Sequence, residues 1–203
     1  MFPLGEYSRL VNDIKRREDP DIPITFGLLI ADYDQQSSRQ YILNYIDRFN
    51  YKSGKYINFY LPGYFEEDIY VSKKIIKIDG KEYYFKREKY MEFLQRLETD
   101  FNFEYFYNPT LILIEYKRGH FSKANSIIIE LDDQGSDIRK TGKFFEEIFK
   151  IAKSYVDIND FSRELKKNEL KNALFNSILN SINNNLIKEV VGNYGRLKKY
   201  KLS

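Results

Sequence analysis

The chain has 203 residues, 42% apolar and 31% charged, with 18 Tyr, 16 Phe, no Trp and a net charge of +3. That size and balance suit one compact globular domain with a helical appendage and exclude a disordered or fibrous chain. The lack of any cysteine excludes disulfides, thiol catalysis and cysteine-ligated metals or clusters.

From the amino end, Glu6 to Arg17 has Tyr7, Leu10, Val11 and Ile14 at helical spacing, and the two prolines of EDPDIP end that helix. ITFGLLIA, Ile24 to Ala31, is a continuous apolar run of the kind that forms a strand buried on both faces. DYDQQSS follows as a loop, and Ser37 or Ser38 would cap a helix from Arg39 to Asn50. YINFYL is a second strand, closed by Pro62-Gly63. Asp79-Gly80, between two short β-prone runs, signals a hairpin. Lys86 to Thr99 has Tyr90, Phe93, Leu94 and Leu97 on one helical face. LILIEY, from Leu111, is a third long strand, and SIIIEL, Ser126 to Leu131, is an antiparallel partner joined through KRGHFSKAN. Lys143 to Tyr155 is a helix with Phe144, Phe145, Ile148, Phe149 and Ala152 inward. A long helix from about Asp160 to Val191 then carries Leu170, Leu174, Ile178, Ile182, Leu186 and Val190 at fourfold spacing.

Alternation of strands and helices implies an α/β fold: a mixed, mainly parallel central sheet with helices on both faces, plus a long C-terminal helix. The division expected is an α/β domain over 1–157, with its core at 24–155, and a helical extension over 158–203 ending in the basic tail GRLKKYKLS. That extension holds nine Lys/Arg against four Asp/Glu, a net +5, whereas the 24 basic and 26 acidic residues before it leave −2. The tail is read as a solvated helix end, with nucleic acid or an acidic partner as the functional reading.

The run from Ile24 to Tyr155 resembles the thioredoxin-like fold. Ile24–Ala31 would be its first central strand, Arg39–Asn50 the helix after it and Tyr56–Leu61 the next strand. NPTLILIEYKRG resembles the family's Pro-Thr before an apolar strand, its turn and its antiparallel partner, with Lys143–Tyr155 closing the unit. The resemblance implies that Pro109 corresponds to a proline, usually cis in that family, beside the catalytic pair. The family's Cys-x-x-Cys falls where this chain has DYDQQSSRQ, so the resemblance implies topology without redox activity.

Two local motifs point to other chemistry. LILIEYKRG resembles the Glu-x-Lys strand of PD-(D/E)XK nucleases. Glu115 and Lys117, two apart in a strand, would share a face; Glu115 would ligate Mg²⁺ and Lys117 would stand by the scissile phosphate or the attacking water. Asp100 or Glu104 would supply the second carboxylate, although neither follows the family's proline and no helix follows the strand. The ordinary alternative is a strand end reaching water. Asp32 and Asp34 after the first strand resemble the nucleophile loop of haloacid-dehalogenase-type phosphatases, with Asp132 and Asp133 as the later acidic pair, but Gln36 stands where that family has Thr or Val. Loop aspartates that cap the next helix are the ordinary reading. If strand carboxyl ends converge, Asp32, Asp34 and Glu115 would meet as metal ligands.

His120, the single histidine, reads as an exposed turn residue, and neither nucleotide-binding glycine signature is present. YFYNP and YINFY could stack bases but at this spacing read as core. The start MFPLGEYSRL lacks a secretion signal, and the apolar runs fall short of the ~18 residues of a membrane span, so the expected location is cytoplasmic without membrane contact. The leading expectation is a non-redox, thioredoxin-like interaction or regulatory module with no cofactor. It would bind a protein partner or a second copy through Leu174, Ile178, Ile182 and Leu186, with Lys198 and Lys199 adding charge. The alternative is a Mg²⁺-dependent nuclease or phosphoesterase using Glu115, Lys117 and Asp100.

Overall fold

The computed structural model describes residues 1–19, 21–50, 53–55, 57–66, 73–101, 109–131, 145–146, 148–153, 160 and 197–202. Their strands are β1 (Phe2–Leu4), β2 (Ile24–Ile30), β3 (Asn58–Pro62), β4 (Tyr64–Phe65), β5 (Ile75–Ile78), β6 (Lys81–Phe85), β7 (Thr110–Lys117), β8 (His120–Leu131) and β9 (Leu197–Leu202). The helices are α1 (Tyr7–Arg16), α2 (Ile46–Asn50) and α3 (Arg87–Phe101), and residues 145–146 and 148–153 are also helical.

Six strands form the main sheet in the order β1-β3-β2-β7-β8-β9. The pairings of β3 with β1 and with β2, and of β8 with β9, are parallel; those of β7 with β2 and with β8 are antiparallel. The sheet is therefore mixed. β2 at its centre has no polar side chain from Phe26 onward because neither of its faces meets water there, and every residue from Phe26 to Ile30 is buried.

Alternation along the strands sorts side chains onto two faces. Phe26, Tyr60 and Tyr116 share one face, which α1 and α3 cover. The Phe121 ring sits 5.9 Å from that of Phe26 and 5.1 Å from that of Phe101 in α3. Two tyrosine–aspartate hydrogen bonds fasten α1: Tyr60 donates to Asp13 at 2.5 Å, and Tyr7 donates to Asp100 of α3 at 2.6 Å. Gly27 and Phe59, paired across β2 and β3, lie on the other face. There Phe59 meets Phe145 and Phe149, and Phe145 stacks on Phe49 of α2 at 4.6 Å. Gly27 has no side chain because the Phe59 ring occupies the space where its Cβ would stand.

Between β3 and α3 the chain inserts a second sheet, β4-β6-β5. Its β5–β6 turn has Asp79 at φ 51° and Gly80 at φ 76°, the doubly left-handed turn that matches strand twist. The turn docks on α2, where Asp79 N–H donates to Asp47 at 2.8 Å and the Asn50 amide donates to Asp79 at 2.7 Å. The β7–β8 turn has the same geometry at Arg118 (φ 50°) and Gly119 (φ 79°), and the Glu18 carboxylate accepts the Gly119 N–H.

Several expectations change. KRGHFSKAN is not a loop: β8 begins at His120 and its register on β7 shifts between Ile114 and Glu115, so the extra length is absorbed as a bulge. The helix after β2 is irregular, a π turn over Ser38–Ile42, a 3₁₀ turn over Leu43–Tyr45 and then α2, and Ser37 makes no side-chain cap. The basic tail is not a helix end over Leu197–Leu202, where the chain returns to the main sheet as β9. Lys198 and Lys199 stand at register positions opposite Ile127 and Ile128. Residues 161–196, with Leu174, Ile178, Ile182 and Leu186, lie outside the described residues. Among the described residues no helix is long and apolar enough to cross a membrane.

A Gly27→Ala substitution forces its methyl group into the Phe59 ring. The expected loss is about 1–3 kcal/mol in urea unfolding, with partial recovery in the Gly27→Ala/Phe59→Leu double variant.

Candidate functional site at the carboxyl end of the central strand

The strands that lead into this region are among the most deeply buried, and they fix where its polar groups emerge. β2 runs apolar to Ala31 and releases Asp32 where the sheet ends. The Asp32 side chain is only 5% exposed and is held on several sides. Its Oδ1 accepts the Asp34 N–H at 2.8 Å, and its carbonyl accepts the Gln35 N–H at 3.2 Å, so the loop folds back on its own first residue. Its Oδ2 lies 3.2 Å from an Arg87 nitrogen.

Arg87 opens α3, and the same nitrogen reaches Asp34 at 3.2 Å. Lys74, just before β5, lies 2.7 Å from one Asp34 oxygen and 2.8 Å from the other. Two carboxylates thus meet two cations drawn from three separate segments. Burial raises the Asp34 pKa, but hydrogen bonds and charge from Lys74 and Arg87 outweigh it and hold the carboxyl below the ordinary aspartate value.

Aromatic contacts close the site. Tyr33 stacks on Phe85 of β6 at 6.2 Å, and the Arg39 guanidinium lies 5.8 Å from the Tyr33 ring. The Tyr64 hydroxyl donates to the Ala31 carbonyl at 2.9 Å. The inserted sheet therefore packs against the carboxyl end of β2. Buried Ser38 Oγ and Gln35 Oε1 have no hydrogen-bond partner among the described residues. Thr110 pairs with Ile30, which brings buried Pro109 level with Ala31 beside the loop. The peptide bond into Pro109 involves Asn108, outside the described residues.

The structure separates the expected metal ligands. Glu115 pairs with Thr25, at the opposite end of β2 from Asp32. Seven residues of strand place them roughly 20 Å apart. The carboxyl end of β7 was expected beside that of β2, but the two strands are antiparallel. Glu115 is buried next to the β8 bulge, and Lys117, half-buried, pairs with exposed His120. Asp100 does not join them: α3 packs on the face of Tyr116, whereas Glu115 projects from the other. Asp100 instead accepts the Tyr7 hydroxyl. Glu104, Asp132 and Asp133 lie outside the described residues. Among the described residues no three His, Asp or Glu form a metal-holding group.

Arg87 and Lys74 escaped the sequence reading. Each is a cation at the edge of an element, and no motif or spacing ties either to a loop some 40 to 55 positions earlier. The chain matches no protein-family model, no curated protein and no solved structure.

Removing Arg87 leaves the buried Asp32 charge short of its cation. Arg87→Met should cost about 1–3 kcal/mol of unfolding free energy, and adding Asp32→Asn should restore much of it. Asp34 has its pKa lowered in the folded state, so its contribution is complete above the ordinary aspartate value and fades as pH falls through the depressed one. Asp34→Asn should therefore flatten the acid limb of a Tm-versus-pH curve and leave its neutral and alkaline parts parallel to wild type.

Proposed function

We propose that the chain is a non-redox, thioredoxin-like α/β module that serves as an interaction or regulatory protein. One observation carries this reading. The loop that stands where the thioredoxin-like family keeps its reactive pair is filled by Asp32 and Asp34, and both are tied off by Arg87 and Lys74. Such a loop has no thiol and keeps its charge compensated; it serves as a structural junction between the main sheet, the inserted sheet and α3.

The topology supports the thioredoxin-like part. A strand, a helix and a parallel strand (β2, the irregular helix with α2, and β3) are followed by the antiparallel pair β7–β8, with Pro109-Thr110 leading into β7. Helical residues at 145–146 and 148–153 follow, and Phe145 and Phe149 pack on Phe59. The β4-β6-β5 sheet is an insertion into that order.

The partner surface in this reading is the apolar stripe Leu174, Ile178, Ile182 and Leu186, which engages a protein partner or a second copy. Because Leu197–Leu202 belongs to the sheet, the stripe is best tested by substitution rather than truncation. Ile178→Asp/Ile182→Asp should convert a wild-type dimer into a monomer of unchanged Tm in sedimentation or light-scattering measurements. A wild-type monomer whose Tm collapses in the variant would assign the stripe to the chain's own core and overturn its role as a partner surface.

A further inference from the structure

We propose that the outer edge of β9 is a docking site for an acidic, extended segment of a partner protein, which adds to the main sheet as a further strand. Among the described residues β9 is the outermost strand, next to β8 and opposite the edge formed by β1. Its six residues pair with Ser126–Leu131 in unbroken register, one partner each. A regular strand leaves alternate N–H and C=O groups pointing away from its neighbour, and that row is the template used in strand addition.

The charge along β9 selects the occupant. Leu197–Leu202 reads LKKYKL: three lysines in six residues and no acid. A second copy is a poor occupant. Two β9 strands paired antiparallel about a centred two-fold axis set Lys198 opposite Lys201 on both sides, and like charges directly opposite destabilise a strand pair. An incoming strand with Asp or Glu at the facing positions turns the same pairs favourable. Charge before the strand acts weakly in the same sense, since residues 158–196 carry six Lys/Arg against four Asp/Glu. A nucleic acid would use the lysines but not the row of backbone donors and acceptors, whereas an acidic peptide uses both.

The experiment uses the full chain and three labelled probes in fluorescence anisotropy. The first is a synthetic ten-residue peptide alternating Glu with Val and Thr, the second the same composition with a central proline, and the third a single-stranded oligothymidine. The proposal expects the first to bind and the proline peptide to bind at least about tenfold more weakly, because proline removes a ladder donor and breaks the pairing. Lys198→Glu/Lys199→Glu/Lys201→Glu should abolish binding of the acidic peptide, and binding should be recovered by a peptide with Lys in place of Glu. If that variant proves unfolded by circular dichroism, Lys198→Gln/Lys199→Gln/Lys201→Gln should show a weakened version of the same loss. Equal binding of the two acidic peptides would reduce the site to unspecific charge and overturn strand addition. Tighter binding of the oligothymidine than of the acidic peptide would assign the lysines to nucleic acid. Amide exchange decides whether the edge is open. Protection of every β9 amide in the free protein would mean that the chain covers this edge itself, which also overturns the proposal.

Discussion

The layering of this molecule depends on the absence of one side chain. Phe59 lies across Gly27, and from that position it meets Phe145 and Phe149. Through Phe145 the contact reaches Phe49, so α2 and the helical residues around Phe145 and Phe149 are held to the same face of the sheet. A residue with a Cβ at position 27 would lift the ring, and the aromatic stack above it would lose its base. The opposite face has no such focus. It is built from a broader set of rings, Phe26, Tyr60, Phe101, Tyr116 and Phe121, and from the two tyrosine–aspartate hydrogen bonds that fasten α1. Aromatic bulk takes the place of the missing tryptophan and cysteine in both layers.

Much of this was legible in the chain, and the reason is local physics. The apolar run Ile24–Ile30 has no alternation because both faces of β2 are covered, and LILIEY reads the same way. Asp79-Gly80 announces its turn because only residues tolerant of positive φ fit there. The two strands at the chain's ends were not legible. β1 has three residues, too few to show a period, and β9 has the composition of a solvated tail. β9 is a strand because β8 offers it an edge, a long-range fact absent from LKKYKL itself. The bulge in β8 was hidden for a related reason. It needs the register of β7 to be known before the extra residues between Ser122 and Ser126 can be seen as surplus.

The candidate site was half legible. Asp32 and Asp34 stood out as an acidic pair after a buried strand, and they do emerge at that strand's carboxyl end. Their partners did not stand out, because an ion pair leaves no trace in spacing when its members come from separate segments. Glu115 misled for a topological reason. The same apolar-strand-then-carboxylate pattern occurs on β2 and on β7, but the two strands run in opposite directions, so the two carboxylates lie at opposite ends of the sheet. Strand direction decides what converges, and composition does not encode it. The inserted β4-β6-β5 sheet adds a further constraint. Phe85 and Tyr64 pack over the end of β2, which couples the loop's position to an element with its own turn that shares the main sheet's core.

The tyrosine–aspartate pairs that hold α1 have a consequence in alkali. Burial first, and the neighbouring carboxylates next, push the Tyr7 and Tyr60 hydroxyls far above the ordinary tyrosine range. A proton retained in the folded chain but released from the unfolded one favours folding at lower pH. Both contributions are therefore complete below the ordinary tyrosine value and drain away as pH climbs past it. Ionisation of the two phenols would put two negative charges against Asp13 and Asp100. The amino-terminal helix is thus fastened by protons as much as by packing, and base is the natural reagent for prising it loose.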